Sequence, residues 1–188
     1  MSAVSSPSGF NPVYHPSGEI VANLYEPTVA NGPTAAIYKG DPVKLTGTTD
    51  VVNIAAANDA ILGVFVGCEY VDVDGKPVYK PYWPGTTTGA TGIKFWVLDD
   101  PAIMYEIQSV GSEANTAIAA SADFVIAAGS TYTGVTGTYL AASAGAVSNN
   151  VRIMGLGRQV SNAWGDAYTV LRVQILKSQL ISTPAGIA

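Results

Sequence analysis

Asp99-Asp100-Pro101, with Glu106 five residues further on, brings three carboxyl groups close together in the sequence. Two such groups held at a suitable separation could hydrolyse a glycosidic bond by acid–base chemistry. Spacing along the chain does not set that separation, and Asp before Pro is ordinary turn chemistry, so a turn is the expected role. Asp72-Val73-Asp74-Gly75 has the opening of a calcium loop, but the further acidic ligand and the closing Glu are missing. A hairpin turn using Asp-Gly for positive φ explains the same letters. His15, the only histidine, stands two residues from Ser17. It lies in a proline-rich stretch, and one histidine leaves little room for triad chemistry, so the pairing is expected to be incidental. Gly155-Leu156-Gly157 lacks the third glycine and the βαβ setting of a dinucleotide fingerprint. Cys68, the single cysteine, sits among apolar residues and reads as an inert buried thiol with neither a disulfide nor metal-site spacing. The expectation is no enzyme, no catalytic residue, no cofactor and no metal.

The elements that would carry these residues are short and β-rich. Residues 61 to 84 form a long β-branched and aromatic run broken at Asp74-Gly75 and then resumed, the pattern of a β-hairpin. A strict period of two places Val64, Val66, Cys68 and Tyr70 on one face and Phe65, Val71 and Val73 on the other. A strand apolar on both faces must be covered on both. The second arm ends in Pro81-Tyr82-Trp83-Pro84, which reads as a stiff contact surface at a sheet edge. Further strands are expected at Ile20–Tyr25, Ala35–Lys39, Val43–Leu45, Val51–Ala55, Ile93–Leu98, Ile103–Gln108, Phe124–Ala128, Val135–Leu140, Val151–Leu156 and Tyr168–Leu176. Ser112 to Ala122 could hold one or two helical turns. About ten short strands with turns every eight to twelve residues predict an all-β antiparallel sandwich or barrel.

The 188 residues suit one domain. Residues 1–18, with Pro7, Pro12 and Pro16, read as an extended N-terminal arm; 19–181 read as the β-rich domain and 182–188 as a tail. Charged residues make up only 12% of the chain, about half the usual share, and hydrophobic ones 48%. Scarcity of charge is what the core of an interface shows, so an assembly component is expected. The candidate contact residues are Phe10, Val13 and Tyr14 on the arm, Tyr79, Tyr82 and Trp83 on the hairpin, and Trp164. Arg152, Arg158 and Arg172, with Trp164 and Asp166, read as surface residues, a solvated face being favoured for each over a rim that pairs across an interface. A net charge of −5 with scattered basic residues argues against nucleic acid as a partner. Residues 124–151 carry no charge, yet Gly, Ser, Thr and Asn interrupt them too often for a membrane span. The start Met1-Ser2-Ala3-Val4-Ser5-Ser6-Pro7 shows no signal-peptide pattern.

Taken in order, Gly9-Phe10-Asn11-Pro12-Val13 with His15 and Ser17-Gly18, Tyr38-Lys39-Gly40-Asp41-Pro42-Val43-Lys44-Leu45, the 61–84 run, Leu98-Asp99-Asp100-Pro101 with Glu106-Ile107-Gln108, and Asn162 with Gly165-Asp166-Ala167 look like small virion proteins of tailed bacteriophages. Over residues 9 to 176 the chain resembles their capsid decoration, or cement, proteins; Ala114 to Asn150 carry no motif of that kind. The resemblance implies a structural protein made in the host cytoplasm. It would sit on the outer surface of the virion capsid, with the major capsid protein and its own copies as partners, a homotrimer favoured over a dimer. It offers no catalytic residues. On this reading, removal of residues 1–18 should weaken oligomerisation or capsid docking and leave the core folded. The alternative is a carbohydrate-binding or host-attachment module stacking sugars on Tyr79, Tyr82, Trp83 and Trp96.

Overall fold

A computed structural model describes residues 4–27, 32–46, 51–143 and 149–181; the expected 182–188 tail lies outside these. The chain is all-β. Its first strands are β1 (Asn11–Tyr14), β2 (Asn23–Tyr25), β3 (Ile37–Tyr38), β4 (Pro42–Thr46) and β5 (Val51–Ile54). There follow β6 (Gly63–Val71), β7 (Pro77–Lys80), β8 (Tyr82–Trp83), β9 (Thr91–Leu98) and β10 (Met104–Gln108). The last are β11 (Ser121–Ala122), β12 (Phe124–Val125), β13 (Tyr139–Leu140), β14 (Val151–Leu156) and β15 (Val170–Ile175). All named pairings are antiparallel. The expected helix shrinks to one 3₁₀ turn at Asn115–Ala117.

One sheet runs β1-β10-β15-β14-β11; the other runs β2-β9-β6-β4-β5, with β7 paired to the far part of β6. Both sheets stay open, which removes the barrel alternative. The first core lies between them: Tyr105, Ile107, Ile153, Leu171 and Val173 of the five-stranded sheet meet Val64 and Leu98 of the other. A second core lies on the opposite face of the six-stranded sheet. There Phe65, Cys68, Tyr70 and Phe95 pack with Ile37 and Trp83 of the small β3–β8 pair.

A β-bulge in β6 divides its side chains between these cores. Phe65 pairs with Val97, but Gly67, not Val66, pairs with Trp96, so one residue is extra and the phase shifts. Val64 and Val66 face the first core, while Phe65, Cys68 and Tyr70 all face the second. This corrects the strict alternation expected from the sequence, which grouped Cys68 and Tyr70 with Val64. The hairpin itself forms as expected: Val71 pairs with Pro77, the Gly75 N–H donates to Asp72 O at 2.9 Å, and Gly75 alone in the turn takes positive φ, at 77°.

The expected arm is part of the body. β1 is the edge of the five-stranded sheet, where Pro12 is tolerated because an edge strand leaves one side of its backbone unpaired. The Gly9 N–H donates to Thr138 O and the Phe10 N–H to Gly40 O, both at 3.0 Å. Farther out, the Ser6 N–H donates to Gln108 Oε1 at 2.8 Å. Phe10 is 1% exposed and meets Tyr105 and Phe124 edge-on at 5.8 and 5.9 Å. Gly9 has no room for a side chain: a Cβ would lie 2.4 Å from Gly40 O.

Asp41 joins the segments that meet here. It is buried, its Oδ2 accepts the Tyr38 N–H at 2.8 Å, and its Oδ1 accepts the hydroxyls of Thr136 and, at 2.9 Å, Thr138. Burial raises its carboxyl above the ordinary 3.8, against the pull of the Thr136, Tyr38 and Thr138 hydrogen bonds.

Phe10→Ala should therefore cost about 3–5 kcal/mol, seen as a lower midpoint in denaturant, while Val13→Ala on the exposed face of the same segment changes it by less than about 0.5 kcal/mol. Removal of residues 1–18 should unfold the first core, reversing the expectation drawn from the sequence; circular dichroism of the truncated chain checks this. For Asp41 the folded state holds its proton more tightly than the unfolded state. Its contribution to stability therefore falls as pH rises from 3.8 through the raised folded value. In Asp41→Asn one oxygen replaces two acceptors, so the Tyr38 N–H and both threonine hydroxyls can no longer all donate to it, and stability falls. Denaturant titrations should nonetheless show the wild-type advantage over Asp41→Asn shrinking as pH rises through that window.

Candidate functional site

The three carboxylates that could have formed a hydrolytic centre are separated and engaged. Asp99, at the end of β9, is buried; its Oδ2 accepts the Tyr25 hydroxyl at 2.6 Å and its Oδ1 the Asn23 side-chain amide at 2.8 Å. It clamps β2 to β9. Burial, then the Asp99 hydrogen bond and charge, holds the Tyr25 hydroxyl protonated well above the usual tyrosine range. Asp100 Oδ1 accepts the Ala102 N–H at 2.8 Å, closing the turn into β10. Glu106 lines a different hollow, on the outward face of β10, where its Oε1 accepts the Arg158 N–H at 2.8 Å.

His15 does meet Ser17 and also Asp100, a contact the sequence did not foretell. The Ser17 N–H donates to Nδ1 at 3.2 Å, which leaves the proton on Nε2, and Nε2 donates to Asp100 Oδ2 at 3.0 Å. The Ser17 hydroxyl lies 2.6 Å from Nδ1. The order of atoms is that of a proton relay, but the nearby amides are committed. Gly18 N–H donates to His15 O and Glu19 N–H to Ser17 Oγ, so neither points at a space where an oxyanion would form. The relay ties the β1–β2 connection to the β9–β10 turn.

Asp72 Oδ1 accepts the Asp74 N–H, as a turn requires, and among the described residues no three His, Cys, Asp or Glu side chains cluster as metal ligands would. The Cys68 thiol donates to Tyr82 O at 3.2 Å, and burial pushes its pKa up to about 12; that is an inert thiol. Gly155 and Leu156 lie in β14, within a sheet.

The contact candidates divide sharply. Phe10 belongs to the first core. Trp83, at 0% exposure, is the centre of the second: its ring meets Tyr70 and Phe95 edge-on at 5.3 and 5.4 Å, and its indole N–H donates to Pro33 O at 2.8 Å. The proline-flanked tip is thus a core element, corrected from a contact surface because the β3–β8 pair folds it over β6. Trp164 packs half-buried against the first core. Tyr82 is half-buried, stacked on Tyr38 at 5.6 Å with Lys80 Nζ 5.5 Å from its ring centre. Val13, Tyr14 and Tyr79 are exposed. The four rings considered for sugar stacking do not share a surface, since Trp83 faces the core and Trp96 is half-buried in β9.

The structure adds an exposed apolar edge. β1 and β2 are the edge strands of their respective sheets, and residues at β1 and just before β2 line one hollow. Val13 and Tyr14 on one, and Ile20, Val21 and Leu24 on or beside the other, are all solvent-exposed. Between the strands runs a groove of about 450 Å³ lined by Phe10, Pro12, Ile20, Ala22, Val64 and Leu98. The apolar letters of 20–24 were visible in the sequence; their exposure follows from strand order, which was not. Compared with known proteins, the chain matches no family model, no curated sequence and no solved structure.

Asp99→Asn should lower stability by about 1–3 kcal/mol, because an amide placed against the Tyr25 hydroxyl and the Asn23 amide cannot accept from both as the carboxylate does. It should also bring the Tyr25 hydroxyl down toward the ordinary tyrosine range. Spectrophotometric titration beside a Tyr25→Phe control identifies that hydroxyl.

Proposed function

We propose that this chain is a non-enzymatic structural protein of tailed-phage virions, a decoration or cement protein that binds the outside of the icosahedral head and braces contacts between capsomers. One observation carries the reading: two open sheet edges lie side by side, and both expose apolar residues, in a chain with very few charges to keep them solvated. Open edges are sites for strand addition from a neighbouring chain. Exposed Val, Leu and Tyr supply contact area with little side-chain entropy to lose. The resemblance of residues 9 to 176 to decoration proteins supplies the partner class, the major capsid protein, and the expectation of a trimer.

The carbohydrate-binding alternative has less support, since Tyr79 is the one fully exposed ring of its four. The attachment and bracing readings part on heating. Heads lacking a brace rupture at lower temperature; heads lacking an attachment module stay intact and adsorb poorly.

Purified protein mixed with undecorated heads should bind them and raise their rupture temperature. Val21→Asp with Leu24→Asp, both at exposed positions, should leave the thermal midpoint of the free protein within a few degrees and weaken head binding at least ~10-fold, about 1.4 kcal/mol. Wild-type protein that left heads bare in a sedimentation assay would overturn the proposal.

A further inference from the structure

Within the strands, arginine is confined to the five-stranded sheet: Arg152 stands on β14 and Arg172 on β15, while Arg158 lies two residues beyond β14 and Lys177 two residues beyond β15. The strands of that sheet contain no lysine, while those of the other carry Lys44, Lys80 and Lys94 and no arginine. Arg152 and Arg158 are exposed and Arg172 half-buried, and among the described residues none of the three guanidiniums lies in an ion pair. Sheet register places Arg152 beside Gln174, Met104 and Tyr14 in one row across four strands, and Arg172 beside Glu106 in the next. Arg, Met and Tyr are enriched in protein interfaces and Lys is depleted. The outward face of this sheet therefore has an interface composition, in contrast to the lysine-bearing sheet.

The occupant must bring carboxylates. The chain's net charge is −5, and this face is its basic part, so the rest of the molecule is more acidic still. The adjoining β2 edge bears Glu19 and Glu26, both exposed and without an ion pair among the described residues, beside exposed Ile20, Val21 and Leu24. No lysine or arginine occurs between residues 1 and 38. We infer that the arginine face of one copy receives the acidic β2 edge of a second copy, head to tail. A face-to-face pairing of two arginine surfaces would set like charges together and is disfavoured. Such a head-to-tail contact closes as a ring where the rotation per copy divides a full turn, and the trimer of the proposed function is the closed case taken here. This contact rests on the assembly reading above and names the surfaces that would make it.

The test uses the full chain in analytical ultracentrifugation at low and high salt. Wild type should form a small closed oligomer that dissociates as salt rises. Arg152→Gln with Arg158→Gln, which spares the Arg172 hydrogen bond to Leu156 O, should weaken association roughly 30-fold, with a thermal midpoint equal to wild type at high salt, where both are monomeric. Arg152→Glu with Arg158→Glu, and separately Glu19→Arg with Glu26→Arg, should each be monomeric, and combining all four in one chain should restore the oligomer. A wild type that is monomeric at low salt, a Gln variant that associates as wild type does, or a four-fold swap that stays monomeric would each overturn the contact. Monomeric wild type that still coats heads would overturn this contact alone. An oligomer that responds to these changes as stated, but leaves heads bare, would sustain the contact and sink the capsid reading.

Discussion

One strand has to serve two hydrophobic cores, and the rest of the fold is arranged around that demand. β6 lies in the middle of its sheet with apolar side chains on both faces, so neither face can be left to water without losing roughly 1.5–3 kcal/mol per large side chain. Simple alternation would have turned Cys68 and Tyr70 toward the first core and left Trp83 without one of the two rings it packs against. The extra residue at Val66–Gly67 moves them to the second core with Phe65. Gly67 suits the position, because a Cβ there would stand only 3.1 Å from Lys80 O on the neighbouring strand. The bulge thus sets where β7 and β8 go, and with them Trp83.

Irregular segments are tied to the sheets by buried acids that act as hydrogen-bond acceptors. Asp41 fixes residues 38–41 to Thr136 and Thr138. Glu113, also buried, accepts the Ser143 N–H at 2.9 Å and the Ser143 hydroxyl at 2.7 Å. Glu106 takes the Arg158 amide and Asp99 takes Tyr25 and Asn23. Each carboxylate collects donors from irregular segments whose backbone groups have no ladder to join, which is how a chain with many short strands satisfies its buried polar atoms.

What the sequence made legible follows from the length of the signal. β6, β7, β9, β14 and β15 alternate over enough residues to be seen, and Asp74-Gly75 marks their hairpin. β3, β12 and β13 fall within expected strands but shrink to two residues each, while β1, β8 and β11 were not expected, their residues reading as an arm, a contact tip and part of a short helix; among the described residues fifteen strands form where about ten were expected. Phe10 and Trp83 were misplaced for one shared reason: flanking prolines mark a segment that cannot lie inside a sheet, but they do not say whether its aromatic points outward. Here both segments sit at sheet margins and turn their rings inward. Asp100 and Asp72 act in turns as read, each accepting a backbone N–H two residues on, whereas Asp99 is a buried clamp on Tyr25 and Asn23 that the turn reading missed. The apolar edge formed by β1 and β2 was not legible, because it exists only once the strand order brings two separate margins together.

Charge economy links the interior to the surface. Of 14 acidic residues, Asp41, Asp99, Glu106 and Glu113 are buried and serve as hydrogen-bond acceptors, so a chain already poor in charge has still less of it facing water. Solitary β proteins guard their margins with charges, prolines, bulges and short edge strands. Here neither β1 nor β2 carries a charged residue; Pro12 and the irregularity between Pro12 and Tyr14 interrupt β1, and Glu19 and Glu26 flank β2. Such margins persist in a folded chain when covering them is part of its work, since exposed apolar edges are otherwise an aggregation hazard. The same interior chemistry that lets irregular segments close the two cores leaves a surface with two unpaired, apolar margins.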